Sequence, residues 1–218
     1  MNCEFTFVCE VGLGQARLQI WRIFSPKSDF AHAFLGTLAL VRELENEHEI
    51  IRRCQQGDLR AYETIYRHFE PPLLRLGLRM LGRQEDAEDA VQTAFLKLYR
   101  GITQFQFGAK FSTYLFRIMM NVCFDMIQKR QSNRRRMPEE TAAHFSPSIE
   151  LRLQLEEAIT MLPERMRACF VLFAVEELKQ EEIAEILSLN VGTVKSQIFN
   201  AKTRLRVLLA DIRTEVMP

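Results

Sequence analysis

Apolar residues recur at helical spacing along most of the chain. In DLRAYETIYRHF, Leu59, Tyr62, Ile65, Tyr66 and Phe69 fall at i, i+3, i+6, i+7 and i+10, with Asp58 placed to cap. Pro71 and Pro72 interrupt that pattern and open a next helix, LLRLGLRML, which Gly82 closes. A further helix is predicted from about Glu85 to Tyr99, stopped by Gly101, and another from about Ser112 to Lys129. Towards the C-terminus Ile183, Ala184 and Leu187 mark one short helical face. Val194, Ile198, Ala201 and Leu205 mark a second at i, i+4, i+7 and i+11. Strand-like alternation is nearly absent beyond residue 45. The predicted fold class is all-α.

Between the two helical blocks, SNRRRMPEETAAHFSPS (132–148) combines two prolines with clustered charge and reads as a linker. The expected organisation is two small helical domains, 45–131 and 149–212, joined by that flexible segment. Residues 1–44 carry Gly12, Gly14 and Gly36 without a clear period. They form an N-terminal extension of unknown role.

The second block is a helix-turn-helix pattern. SLN makes the turn, Asn190 can cap the second helix, and Gly192 and Thr193 occupy its first turn. Ala184 is small where two crossing helices approach closely. Charge reverses along the segment: Glu181, Glu182 and Glu185 lie on the first helix, and Lys195, Lys202, Arg204 and Arg206 on the second. A second helix seated in a DNA major groove, with its cations on phosphates, accounts for that reversal. An ordinary helical hairpin with a solvated charged face is the alternative.

Bulk charge adds nothing, since the formal net charge is only +1. Five scattered cysteines (Cys3, Cys9, Cys54, Cys123, Cys169) contain no C-x-x-C, and with four dispersed histidines they give no zinc spacing. Reduced thiols in a cytoplasmic protein are the simplest reading, and Cys123 reads as a small buried hydrophobe. No apolar run reaches the ~20 residues that span a bilayer, so no membrane insertion is expected. The early stretch VCEVGLGQARLQIWRIF is broken by charged and polar residues and makes a poor signal peptide. No P-loop, metal-carboxylate cluster or nucleophile motif is present, so neither an enzyme nor a cofactor is expected.

The first block holds two further patterns. RQEDAEDAVQTAFLKLYRGI opens with Glu85, Asp86, Glu88 and Asp89, which suit a helix N-terminus. Asp86, Asp89, Gln92 (or Thr93) and Lys97 share one stripe, and Ala87, Val91, Ala94 (or Phe95) and Leu98 share another. The polar stripe fits either a solvated face or a docking face for a basic partner protein. Downstream, Phe105, Phe107, Phe111, Tyr114 and Phe116 are interleaved with Lys110 and Arg117. Phe111, Leu115, Ile118 and Val122 form a core face. Tyr114, Arg117, Asn121, Asp125 and Gln128 form a polar stripe that runs into Lys129, Arg130, Arg134, Arg135 and Arg136. Rings beside cations are what unpaired bases stack on.

These segments, in this order, resemble the bacterial extracytoplasmic-function (ECF) sigma factors. AYETIYRHF, EDAEDAVQTAFLKLYR and FSTYLFRIMMNVCFDMIQKR are similar to the family's first domain, sigma region 2. LEEAITMLPERMRACFVLFAVEELKQEEIAEILSLNVGTVKSQIFNAKTRLR is similar to its second, region 4. The resemblance covers roughly residues 46–210. It implies a subunit that binds core RNA polymerase, directs it to promoter DNA and is commonly held by an anti-sigma factor. Asp86, Asp89, Gln92 and Phe95 would then dock on the polymerase. Phe105, Phe107, Lys110, Tyr114, Arg117, Asn121, Asp125, Lys129 and Arg130 would open and read the minus-ten element. Val191, Thr193, Lys195, Ser196, Gln197, Asn200, Lys202 and Arg204 would read the upstream, minus-thirty-five element. Tyr114 stands where the family usually has Trp, and Gln197 and Asn200 where it usually has Arg.

A free-standing helix-turn-helix regulator that binds duplex DNA as a dimer is the second reading. It leaves the acidic 85–92 helix and the aromatic 105–116 segment without a role.

Overall fold

The computed structural model describes residues 44–134 and 150–215, and every regular element among them is helical. The first set comprises α1 (Glu47–Gln55), α2 (Leu59–Leu81), α3 (Gln84–Gly101), a 3-10 turn (Ile102–Gln104) and α4 (Phe111–Arg134). The second comprises α5 (Glu150–Thr160), α6 (Glu164–Ala174), α7 (Gln180–Leu187) and α8 (Val191–Glu215). The expectations for residues 1–43, for the linker beyond Arg134, and for Arg135 and Arg136 lie outside the described residues.

Helix α2 begins where its cap predicts. Asp58 Oδ1 accepts from the N–H groups of Arg60 (2.8 Å) and Ala61 (3.3 Å), while its other oxygen pairs with Arg53 at 2.6 Å. Gly82 ends it at φ 77, a left-handed value that suits glycine, and donates its N–H to Leu78 at 2.7 Å.

The prolines do not divide this helix. Pro71 and Pro72 lie inside one continuous α2, which corrects the expected break. Each removes an amide from the ladder, a loss that costs about 3 kcal/mol in a helix interior. The buried stripe outweighs it: Ala61, Ile65, Phe69, Leu73, Leu76 and Met80 keep helical phase straight through the prolines. Leu59, expected on the apolar face, is 66% exposed.

Helix α3 turns Ala87, Ala90, Val91, Ala94, Phe95 and Leu98 into the core. Helix α4 adds Phe111, Leu115, Phe116, Met119, Met120, Val122 and Cys123, whereas Ile118 is only half-buried. Burial pushes the Cys123 thiol up to about 12, as a small hydrophobe requires. In the second set, α8 packs on α5, α6 and α7 through Val194, Ile198, Ala201, Leu205 and Leu209.

The two sets also pack on each other within one compact unit, with α2 against α5 and α6, and α4 against α7. The seam is polar. Arg79, 6% exposed, pairs with Glu156 at 3.1 Å. Arg167 donates to the carbonyl of Met80 (2.6 Å), at the end of α2, and to those of Thr160 and Leu162. No helix among the described residues is long and apolar enough to cross a membrane.

Candidate nucleic-acid interface

The helix-turn-helix is built as its pattern predicts. Ser188 takes a left-handed turn at φ 52, and Leu189 donates its N–H to Ala184 at 2.9 Å. Asn190 Oδ1 then accepts from the N–H (2.7 Å) and hydroxyl (2.9 Å) of Thr193, capping α8. Ile183, Ala184 and Ile186 are buried on α7, whereas Leu187 is half-buried.

On α8, Lys195, Ser196, Asn200 and Arg204 are exposed, and Val191, Thr193 and Gln197 are half-buried. Lys202 differs from its expected place on a phosphate: its ammonium lies 5.0 Å from the centre of the Phe173 ring. Desolvation, with help from Arg206, holds its pKa below the usual lysine range. Phe199 on the same helix, not among the expected contacts, is 69% exposed. It falls outside the buried 194–198–201–205 stripe, which is why its ring faces solvent.

The aromatic segment sorts into support and surface. Phe105 is buried, packed edge-on against Phe111 (5.4 Å) and Phe107 (5.5 Å) and tilted against Tyr114 (5.1 Å). It is a support rather than an exposed stacking ring, which corrects the expectation. Phe107 is exposed, stacked on His48 at 4.7 Å, with the Arg52 guanidinium 5.8 Å from its centre. Gln55 pins the loop by donating to the carbonyls of Ile102 (3.0 Å) and Phe105 (2.9 Å), a link no periodicity reveals.

Along α4, Tyr114 is half-buried and Asn121, Asp125 and Lys129 are exposed. Asp125 pairs with Lys97 of α3 at 3.3 Å. Arg130 meets Asp86 at 3.3 Å, so two residues expected to serve different partners face each other. Lys110 reaches Glu182 of α7 at 2.7 Å. Arg117 donates to the Glu185 carbonyl at 2.7 Å and stands 3.8 Å from its carboxylate. Desolvation raises the Glu182 pKa, but hydrogen bonds from Lys110 and the Lys179 N–H outweigh it and hold the carboxylate below its ordinary value.

On α3, Asp89 and Gln92 are exposed and lie on one stripe with half-buried Asp86. Phe95 does not join them. It is 3% exposed, tilted against Tyr66 at 4.6 Å, and its carbonyl accepts from the Tyr62 hydroxyl at 2.5 Å. Its place is in the core beneath Asp89 and Gln92, because a ring of that size is worth more buried. Among the described residues no group of His, Cys, Asp and Glu could hold a metal ion.

Residues 65–133 match the family described as Sigma-70 region 2, and residues 152–205 match Sigma-70, region 4. The chain is 32% identical to the ECF RNA polymerase sigma factor SigW of Bacillus subtilis, over 74% of this chain and 96% of that one. It is 31% identical to the ECF RNA polymerase sigma-E factor of Haemophilus influenzae, over 72% of this chain and 91% of that one. A solved structure of CnrH in complex with the cytosolic domain of CnrY shares the fold: TM-score 0.59, 23% identity, covering 74% of this chain and 96% of that one. So does the sigma factor RpoE in complex with the anti-sigma factor NepR from Bartonella quintana, at TM-score 0.56 and 26% identity, covering 64% of this chain and 91% of that one. With both conserved regions present in order, the chain belongs to the ECF RNA polymerase sigma factors, the alternative sigma subunits that direct transcription initiation.

Proposed function

We propose that the chain divides its work among three faces. The exposed carboxylate and amide of Asp89 and Gln92, beside Asp86, dock on core RNA polymerase. Phe107, Tyr114, Asn121 and Asp125, with Lys110, Arg117, Lys129 and Arg130, open and hold the minus-ten element, and Phe105 and Phe95 brace those faces from beneath. Lys195, Ser196, Gln197, Asn200 and Arg204, at the exposed start and middle of α8, read the upstream element.

The observation that carries this reading is the capped helix-turn-helix whose second helix exposes Lys195, Asn200 and Arg204, with Gln197 half-exposed beside them. Gln197 and Asn200 each carry a donor and an acceptor, the pairing that suits adenine in the major groove. The chain supplies binding energy for strand separation and has no chemistry of its own, with rings and cations available to unpaired bases. A sigma subunit of this kind works in the cytoplasm, where its polymerase is. The co-crystal of RpoE with NepR supports an anti-sigma factor as a further partner.

The test is run-off transcription with bacterial core polymerase on a pool of promoter fragments. Transcripts that require the chain and share two spaced upstream motifs are expected. Core polymerase that neither binds nor responds to the chain would return the duplex-binding regulator as the better reading.

A further inference from the structure

Four rings form a row from α4 to α1 that no helical period predicts. Tyr114 is tilted against Phe105 at 5.1 Å, and Phe105 meets Phe107 edge-on at 5.5 Å. Phe107 in turn stacks on His48 of α1 at 4.7 Å, with the ring planes 24° apart. Phe105 is buried and carries the row from beneath, whereas Phe107 (39% exposed) and His48 reach solvent. The end of the row is an exposed imidazole stacked on a phenyl ring.

That end is held in place from α1. Gln55 donates to the carbonyls of Ile102 (3.0 Å) and Phe105 (2.9 Å), which ties the loop bearing Phe107 to the helix bearing His48. Arg52 lies one turn along α1 from His48, on the same face. Its guanidinium stands 5.8 Å from the centre of the Phe107 ring and makes no ion pair among the described residues. Glu49, next to His48 in α1, is exposed as well, so charge alone would not draw a strand to this place. Ring stacking has to supply the attraction.

We infer that His48 and Arg52 of α1, with Phe107, form a second stacking site for an unpaired base of the opened DNA strand, beyond the one at Tyr114. The inference rests on the reading of Tyr114, Asn121 and Asp125 as minus-ten residues. Continuity carries it: the row of rings joins Tyr114 to the exposed imidazole, so a strand held at Tyr114 and running toward α1 meets the Phe107–His48 stack next. Every base has a face that stacks on such a ring, so the site holds the strand without reading its sequence. Arg52 supplies a cation for the adjoining phosphate. Helix α1 lies outside residues 65–133, which match region 2, so the site is built from residues beyond that conserved match.

The test uses holoenzyme reconstituted from the full chain and core polymerase, titrated with a fluorescein-labelled oligo(dT) 20-mer across a salt series. Core polymerase alone gives the background. His48→Ala should weaken binding about tenfold, as loss of one stacked base does, and His48→Phe, which keeps a ring, should retain it. Arg52→Gln should lower the log–log salt slope by about 0.7. Equal binding by His48→Ala and the unsubstituted chain overturns the site, and so does His48→Phe binding as weakly as His48→Ala. Asn121→Ala with Lys129→Gln, in the same assay, separates this site from the reading beneath it. Weakening by that pair alone overturns the α1 site and leaves the minus-ten face standing. No effect from either set overturns the minus-ten reading as well. Should His48→Ala lower polymerase association and leave oligonucleotide binding unchanged, the rings serve a protein surface and the inference falls.

Discussion

Gly77 lies against Ala87 with no space for a side chain between them. A Cβ at position 77 would stand 3.2 Å from the Ala87 Cβ, 3.3 Å from its Cα and 2.9 Å from Met119 Cε. The methionine end can swing away, but the backbone of α3 cannot. Gly77→Val should therefore push α3 off α2 and lower stability by about 2 kcal/mol. Gly77→Ala should fall between, since about 1 kcal/mol of helix propensity offsets a smaller clash. Urea unfolding midpoints of the three proteins check the order.

Glu176 is 7% exposed, and among the described residues its Oε1 has no hydrogen-bond partner. Desolvation raises its pKa to about 7, against the pull of Arg75 and Arg79. The native state then holds a proton that the unfolded chain releases above its ordinary value of 4.5. Stability from this group is full below that value and is lost as pH rises through about 7, by at most about 3 kcal/mol. Glu176→Gln should flatten that decline and be the more stable protein at pH 8. Unfolding free energies at pH 5 and pH 8 decide it.

Asp89 and Gln92 are exposed, whereas Phe95 beneath them is in the core. Replacing Asp89 and Gln92 together with alanine should weaken holoenzyme formation while leaving thermal unfolding within about 0.5 kcal/mol of the parent. Phe95→Ala should instead cost about 3 kcal/mol of stability. Pull-down on core polymerase alongside a melt separates docking from packing. A double variant that forms holoenzyme normally would remove the docking assignment.

Lys195 projects into solvent from the first turns of α8. Lys195→Glu should weaken use of the upstream element about tenfold and lower the salt slope by about 1. Transcription from a cognate promoter, against one lacking the upstream element, measures it. Equal output from both proteins would place the upstream contact elsewhere.

Burial raises the thiols of Cys54 and Cys169 to about 11 and that of Cys123 to about 12. Almost no thiolate is then present at neutral pH, and the thiolate is the reactive species. Iodoacetamide at pH 7.5 should leave all three unlabelled in the native chain and label them in urea. Peptide mass spectrometry reads the result, and native labelling of Cys123 would count against its reading as a buried hydrophobe.

Much of the local structure was legible in the chain. Asp58 and Asn190 cap where their side-chain chemistry requires, Gly82 ends α2 at a positive φ, and the stripe Ala87–Val91–Ala94–Leu98 faces inward. The prolines misled because local propensity argues for a break, while the phase of Ile65, Phe69, Leu73 and Leu76 argues for continuity. Packing won, as it does when a buried face is long. Phe95 and Phe105 misled in another way. An aromatic residue in a candidate surface segment looks the same in sequence whether its ring is the surface or its support.

The sequence by itself determined the all-helical class, the two helical blocks, the helix-turn-helix and the family, because period, caps and motif order are properties of neighbouring residues. Only the tertiary structure decided which charges meet. Lys110 with Glu182, Arg117 with Glu185, Arg79 with Glu156 and Arg130 with Asp86 all join residues more than 40 positions apart. Charge pairing over such separations depends on how the helices pack, and the pattern along any one helix carries no record of it.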